Sequence, residues 1–189
     1  MTDTRTQIIN AARQLFAERG KENVTMIDVA TISGKGRRTL YLHFKNKEEL
    51  YRTLVDYELN VMYNSVLAVS DKILPPKLKL SEFIWVHLDT VQMIINRNGT
   101  LRSDFFRNIS EIERLRRKTD RKEMKLIRRI LEMGISRGEF KKMNVELTTI
   151  ILFQAMKGME IPYIRRNKNP DFEKSKRYIV NFVLRGILV

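Results

Sequence analysis

Cysteine is absent from this 189-residue chain, which excludes disulfides and thiolate metal sites. Histidine occurs only at His43 and His87, in neither a metal-ligand nor a catalytic-triad spacing, and no glycine-rich phosphate loop is present. No catalytic constellation, metal site or cofactor is therefore expected. Glycine (8) and proline (4) are scarce. No stretch sustains the alternation of a strand, while apolar residues recur at helical spacing along nearly the whole chain, so an all-α fold is expected. Long apolar runs are also missing. The most apolar stretch, from Val145 to Ile164, is broken by Glu146, Lys157 and Glu160, which argues against a membrane span. Met1 to Arg5 lack the apolar core of a signal peptide, so a cytoplasmic location is expected. The glycosylation sequons at Asn98 and Asn108 are then coincidental.

Acidic residues are outnumbered 22 to 36 by Lys and Arg, a net charge of +14 that favours a polyanionic partner. The excess is uneven. Residues 1–50 carry nine basic against six acidic side chains, whereas residues 97–142 carry fifteen against seven.

A first helix is expected from Thr4 to Arg19, opened by a Thr4/Gln7 capping box and closed by Gly20 in a left-handed cap. A second, near Met26 to Ile32, offers Ile27, Val29, Ala30 and Ile32 as its apolar residues. A tight turn at Ser33-Gly34-Lys35-Gly36 leads into a compact helix from Arg37 to Phe44. Asn46 and Glu49 box the start of a long helix from Lys47 to about Val69. Pro75-Pro76 is the clearest break. Beyond it, helices are expected near 81–96, 101–108, 110–137, 144–165 and 171–188, with a turn at Asn98-Gly99 and with Asn169-Pro170 opening the last.

The Arg37–Phe44 segment carries the functional signal. Leu40 and Phe44 fall on one side, fit to pack on the two preceding helices, while Arg38, Thr39, Leu42 and His43 point away and Arg37 and Tyr41 flank. A short helix braced by another across a glycine turn has the shape that enters a DNA major groove. Arginine forks onto guanine O6 and N7, and Thr25, Tyr41, His43 and Lys47 carry donors suited to phosphate oxygens. Taken alone, Lys35, Arg37 and Arg38 would equally suit a solvated turn.

Residues 5–50 as a whole resemble the DNA-binding domain of the tetracycline-repressor (TetR) family of bacterial regulators. The matching features are Ile8-Ile9, Ala12, Leu15-Phe16, Gly20, Val24-Thr25, Val29-Ala30, Gly34, Thr39-Leu40-Tyr41, His43-Phe44, Lys47-Glu48 and Leu50. The resemblance implies a helix-turn-helix DNA-binding domain over residues 1–50, and a helical effector-binding and dimerisation domain over 51–189. It implies base contacts from Arg37, Arg38, Thr39 and Leu42, and phosphate contacts from Thr25, Tyr41, His43 and Lys47, with Lys35 and Gly36 completing the DNA-binding set. Three positions depart from the family pattern: Lys21 replaces an aromatic residue, Lys35 an apolar one and Arg38 a small one.

For the effector pocket the candidate lining is Trp85, Leu88, Met93, Phe105, Phe106, Met124, Ile127 and Phe153, with His87, Asp89 and Gln92 as polar contacts; the ordinary reading of each residue alone is plain core. The helix near 144–165 shows two apolar faces, one with Leu147, Ile150, Ile151, Gly158 and Ile161, the other with Leu152, Phe153, Met156 and Tyr163. Together with Ser175, Ile179, Phe182 and Gly186 of the final helix, the candidates for a homodimer interface are Leu147, Ile151 and Gly158. The basic run Arg114-Leu115-Arg116-Arg117-Lys118, continued to Arg129, reads as a solvated face partly paired with Glu111, Glu113, Asp120 and Glu123, or as an attractor for an anionic effector. The expected function is a sequence-specific transcriptional regulator, a repressor released from a palindromic operator by a small molecule. The alternative is a non-specific, architectural DNA-binding protein.

Overall fold

The computed structural model of the chain describes residues 3–98, 109–165 and 172–189. The expected turn at Gly99, the short helix at 101–108 and the Asn169-Pro170 start lie outside them. Eight helices are present among the described residues: α1 (Thr4–Arg19), α2 (Met26–Ser33), α3 (Arg37–His43), α4 (Lys47–Asp71), α5 (Pro76–Asn98), α6 (Ile109–Ser136), α7 (Val145–Arg165) and α8 (Phe172–Ile187). The all-α expectation holds. The helices fall into two compact units. One takes the chain to Leu59 together with Ile94–Arg116, and the other takes Asn60–Met93 and Arg117–Val189.

In the first unit the helical spacing of α1 turns Ile8, Ile9, Ala12, Leu15 and Phe16 inward. They meet Val29 and Ala30 of α2, Leu40 and Phe44 at α3, and Leu50, Tyr51 and Leu54 of α4; Ile112 of α6 joins the same core. Phe16 and Tyr51 meet edge to face at 6.0 Å, a preferred aromatic geometry. Each large side chain buried here contributes roughly 1.5–3 kcal/mol.

Local details differ from expectation in three places. Helix α1 is capped at Asp3 with no side-chain bond, so the Thr4/Gln7 box does not form. Gly20 has φ 79° but ψ 149°, a positive-φ extended turn and no left-handed cap. Ile27 and Ile32 are about half exposed, and Met26 takes the core place of α2 beside Val29 and Ala30. The cause is helical phase: Met26, Val29 and Ala30 share one side of α2, and Ile27 and Ile32 fall to either flank of it.

The start of α2 is held by a reciprocal pair that the sequence reading passed over. The Asp28 N–H donates to Thr25 Oγ1 (3.2 Å), while the Thr25 N–H and hydroxyl both donate to Asp28 Oδ2 (2.8 and 2.7 Å). These bonds lower the Asp28 pKa. At the start of α4, Asn46 accepts from the Glu49 N–H as expected, but Glu49 reaches back to the Lys45 N–H, one residue beyond the usual box partner.

In the second unit Pro76 opens α5 five residues earlier than the expected start at Ser81. Proline is well tolerated at a first helical position, where its missing N–H has no partner to lose. The Pro75 carbonyl accepts from the Lys79 N–H (2.9 Å), and Glu139 accepts from the Lys77 N–H (3.2 Å). After α6, Gly138 (φ 71°) reverses the chain and drops Phe140 onto Gly134, where a Cβ would lie 2.0 Å from the Phe140 ring. The Lys141 N–H then bonds to Ile187 O (2.8 Å), tying this turn to the end of α8.

The apolar core of this unit, with Phe83, Leu88, Ile127, Leu131, Phe153 and Leu184 among its members, encloses a charged group of three. The His87 ring donates from Nδ1 to Glu123 and from Nε2 to Glu160, both at 3.0 Å, and all three side chains are buried. Burial alone pushes the His87 pKa down. The hydrogen bonds to Glu123 and Glu160, reinforced by their charges, outweigh it and raise it to about 9. Around them Lys157 pairs with Asp120 (3.0 Å), and Lys176 bonds Asp89 with its ammonium 4.5 Å from the Trp85 ring centroid.

Two consequences are testable. Because the folded-state pKa of His87 lies above its unfolded value of 6.5, its contribution to stability is complete below pH 6.5, fades as pH rises toward 9 and is absent above. Urea unfolding at pH 6 and pH 9.5 measures that loss, and it should vanish in a His87→Leu/Glu123→Leu/Glu160→Leu variant, in which apolar side chains replace the whole ionic group. Thr25→Ala should lower the melting temperature by a few degrees, the scale of a lost helix cap, whereas Thr25→Ser should retain it.

Candidate nucleic-acid interface

Helix α2 ends where Gly34 adopts the left-handed conformation (φ 65°, ψ 23°), which residues with a Cβ enter at a cost. The Gly34 N–H bonds to Thr31 O (3.2 Å) and the Lys35 N–H to Ala30 O (3.0 Å), the paired pattern of a Schellman turn. This turn sets the direction in which the chain leaves α2 and enters α3. Leu40 and Phe44 then anchor α3, at 0% and 1% exposure. With those two inside, helical geometry sends Arg37, Arg38, Tyr41 and Leu42 outward. All four are exposed, Leu42 at 78% and Tyr41 at 52%. Lys35, Thr39 and His43 are half-buried at the flanks. Gly36 has ordinary extended backbone, and a Cβ there would meet nothing within 4 Å, so the fold itself does not demand glycine at that position.

Two expected phosphate ligands have intramolecular work. The Thr25 hydroxyl donates to Asp28. The Lys47 ammonium donates to Lys21 O (2.9 Å) and Glu22 O (3.4 Å), closing the 3-10 turn Lys21–Asn23 against α4. Lys21, the departure from the family's aromatic, is buried with its ammonium 4.5 Å from the Tyr51 ring centroid. The ammonium meets the face of that ring in a cation–π contact. The Thr25-x-x-Asp28 spacing was the available signal for the first of these roles. Nothing local in the sequence announces the second and third.

Within the second unit, Leu88, Ile127 and Phe153 of the expected effector lining are buried, Trp85 and Met124 are half-buried, and Met93 is exposed. Phe105 and Phe106 lie outside the described residues. His87 and Asp89 are committed to the ionic contacts described above, and Gln92 is half-buried. One open recess of 430 Å³ is lined by Asp71, Lys72, Ile73, Leu74, Pro75, Lys79, Met133 and Arg137, none of them an expected ligand contact.

The side chains of Ile161 and Tyr163 lie outside the description, and the other members of the two apolar faces of α7 differ in exposure. Leu152, Phe153 and Met156 are buried, while Leu147 (54%), Ile150, Ile151 and Gly158 are exposed. On α8, Phe182 is 71% exposed beside Gly186, with Ile179 half-buried; the side chain of Ser175 lies outside the description. Tyr178, absent from the expected set, is equally exposed and stacks on Phe182 with ring centroids 6.5 Å apart. On the outer run of α6, Arg114, Arg117 and Lys118 are exposed. Arg116 is buried, and so are Asp120 and Glu123, the former bonded to Lys157 and the latter to His87.

Comparison with known proteins identifies the family and the fold. Residues 8–54 match the family model described as bacterial regulatory proteins, tetR family. The chain is 30% identical over 165 residues to the "Probable HTH-type transcriptional regulator ArpR" of Pseudomonas putida, covering 83% of this chain and 78% of that one. It is 29% identical, over the same shares, to the HTH-type transcriptional regulator TtgR of the same species. The crystal structure of a transcriptional regulator from Cytophaga hutchinsonii has the same fold, with a TM-score of 0.80 at 24% identity over 96% of this chain and 97% of that one. A TetR/AcrR-family regulator from Thermobifida fusca follows at 0.76 and 24%, over 98% of each chain. The chain belongs to the tetR family of bacterial regulatory proteins and is a DNA-binding transcriptional regulator, not an enzyme.

Proposed function

We propose that the protein is a homodimeric repressor that leaves its operator when a small molecule binds. The observation that carries the reading is the exposed row Arg37, Arg38, Tyr41 and Leu42 on a helix anchored from behind by Leu40 and Phe44. Arg37 and Arg38 supply the forked donors for guanine, and Thr39 a shorter polar reach. Leu42 is an exposed apolar side chain fit to meet a thymine methyl. Tyr41, His43 and Lys35 supply phosphate donors, and Gly36 leaves room for a sugar-phosphate strand to approach the backbone. Thr25 and Lys47, whose polar atoms are engaged within the fold, act on DNA by fixing α2 and α4.

The exposed apolar stripes of α7 and α8, with Leu147, Ile151, Gly158, Phe182 and Gly186 and the half-buried Ile179 beside them, support a four-helix dimer interface between two copies. A twofold dimer presents two copies of α3 to successive major grooves of a palindromic site. In this reading residues 1–50 hold the reader and residues 51–189 the dimerising, effector-binding body. Helix α4 contributes residues to both compact units and is the natural lever between them. An effector acts only through its different affinities for the DNA-competent and released states. Support for an effector inside the body comes from Glu123 Oε1, a buried carboxylate oxygen with no hydrogen-bond donor. Among the described residues no helix is long and apolar enough to cross a membrane, in keeping with work on DNA in the cytoplasm.

Arg38→Ala should narrow the gap between operator and random DNA by about 1–3 kcal/mol, read as the ratio of the two dissociation constants. Equal binding of both by the wild type would instead make the protein an architectural binder. Phe182→Asp should turn the dimer into a monomer in sedimentation equilibrium and abolish the twofold footprint, while α3 stays folded.

A further inference from the structure

We propose that the outer face of α6 over residues 117–129 is a second DNA contact, one that grips phosphates of duplex DNA without reading sequence. The inference rests on the DNA-binding reading above and adds to it a surface outside the helix-turn-helix.

Arg117, Lys118, Arg121, Lys125 and Arg129 are all exposed and recur at three- and four-residue steps, so they share one face. Lys122 lies beside them over the Tyr63 ring (4.8 Å), and Arg128 pairs with Glu132 (2.8 Å). The acidic residues of the same stretch do not offset this charge. Asp120 is turned toward Lys157 and Glu123 toward His87, both buried, so no exposed acid falls between residues 117 and 129. An ordinary solvated helix intersperses the two signs. Here Arg117/Arg121, Arg121/Lys125 and Lys125/Arg129 are like-charge pairs four residues apart, which weaken a helix in water and are relieved by a bound polyanion. The stripe is about 18 Å long, enough to run past several phosphates of one strand.

Duplex DNA fits this face better than a lipid surface does. A helix that lies on a membrane needs an exposed apolar face beside its cations, whereas the apolar side of α6, with Leu126, Ile127 and Ile130, is buried in the core. The reader is also poorly supplied with phosphate-neutralising charge. Residues 1–50 carry a net of only +3, and the ammonium of Lys47 is bonded to carbonyls. Counterion release from phosphates is a large share of any DNA affinity, and the densest cation excess of this chain lies on α6.

The test uses the full chain and a fluorescent random-sequence duplex, with the dissociation constant measured over a salt series. Each phosphate contact steepens the plot of log K against log salt by about 0.9. Arg117→Gln/Arg121→Gln/Lys125→Gln/Arg129→Gln should make the slope shallower by roughly 2–4 while operator selectivity persists. Replacing the three arginines by lysine, which keeps charge and fold, should retain the wild-type slope. A four-glutamine variant with the wild-type slope overturns the proposal and leaves the operator reading standing. A wild type that binds no duplex overturns both. Vesicles containing phosphatidylglycerol provide the remaining arm: binding lost in the four-glutamine variant, with the DNA slope unchanged, assigns the face to membrane lipid and overturns the proposal.

Discussion

The insertion of Leu40 and Phe44 into the core built by α1, α2 and the start of α4 is what the exposed face of α3, the surface proposed to read DNA, depends on. A seven-residue helix is too short to persist by its own hydrogen bonds, because the cost of nucleation is spread over too few residues. Helix α3 exists because its two apolar side chains are held from behind, and the Schellman turn at Gly34 aims it. Once those side chains are inside, the periodicity of the helix leaves Arg37, Arg38, Tyr41 and Leu42 outside. Stability and display are thus two sides of one packing arrangement. The Arg5 guanidinium, 5.1 Å from the Phe44 ring centroid, covers the same anchor from the first turn of α1.

The second unit is organised differently. Its core is apolar, yet His87, Glu123 and Glu160 sit inside it as one ionic group joining α5, α6 and α7. Apolar packing tolerates small slips between helices, whereas two 3.0 Å hydrogen bonds to one ring do not. Burial of charge opposes the group, and only the two carboxylates on opposite ring nitrogens make a charged histidine tenable there. At the far end of α6, Phe140 over Gly134 sets the turn by shape alone. The unit therefore combines one electrostatic register with one steric one.

Much of this was legible in the chain. The expected bounds of α1 and α4 lie within two residues of the observed ends, because a start signal such as Asn46/Glu49 and the helical periodicity of apolar side chains are both local properties. The inward and outward faces of α3 followed from the same rule. Side chains whose role depends on a distant partner were not legible. Lys47 looked like a phosphate ligand, and only the approach of α4 to the Lys21–Asn23 turn gives its ammonium two carbonyls. His87 and Glu123 looked like an effector contact and a surface acid, and they face each other across 36 residues of chain. Pro75-Pro76 read as a break of several residues, although proline at a first helical position lets α5 begin at once.

By itself, then, the sequence determined the helical class, the short helix at Arg37–His43 and the family, since each is written in short-range spacing that any single helix or turn expresses. It also showed that α7 has two apolar faces. Which of them turns inward was decided only by tertiary packing, which buries Leu152, Phe153 and Met156 and leaves Leu147, Ile150 and Ile151 exposed. The same holds for charge. Composition counts the cations of α6 and their neighbouring acids alike, but folding withdraws Asp120 and Glu123 into ion pairs and leaves Arg117, Arg121, Lys125 and Arg129 exposed. Burial and pairing depend on residues far apart in the chain, and no local pattern encodes that distance.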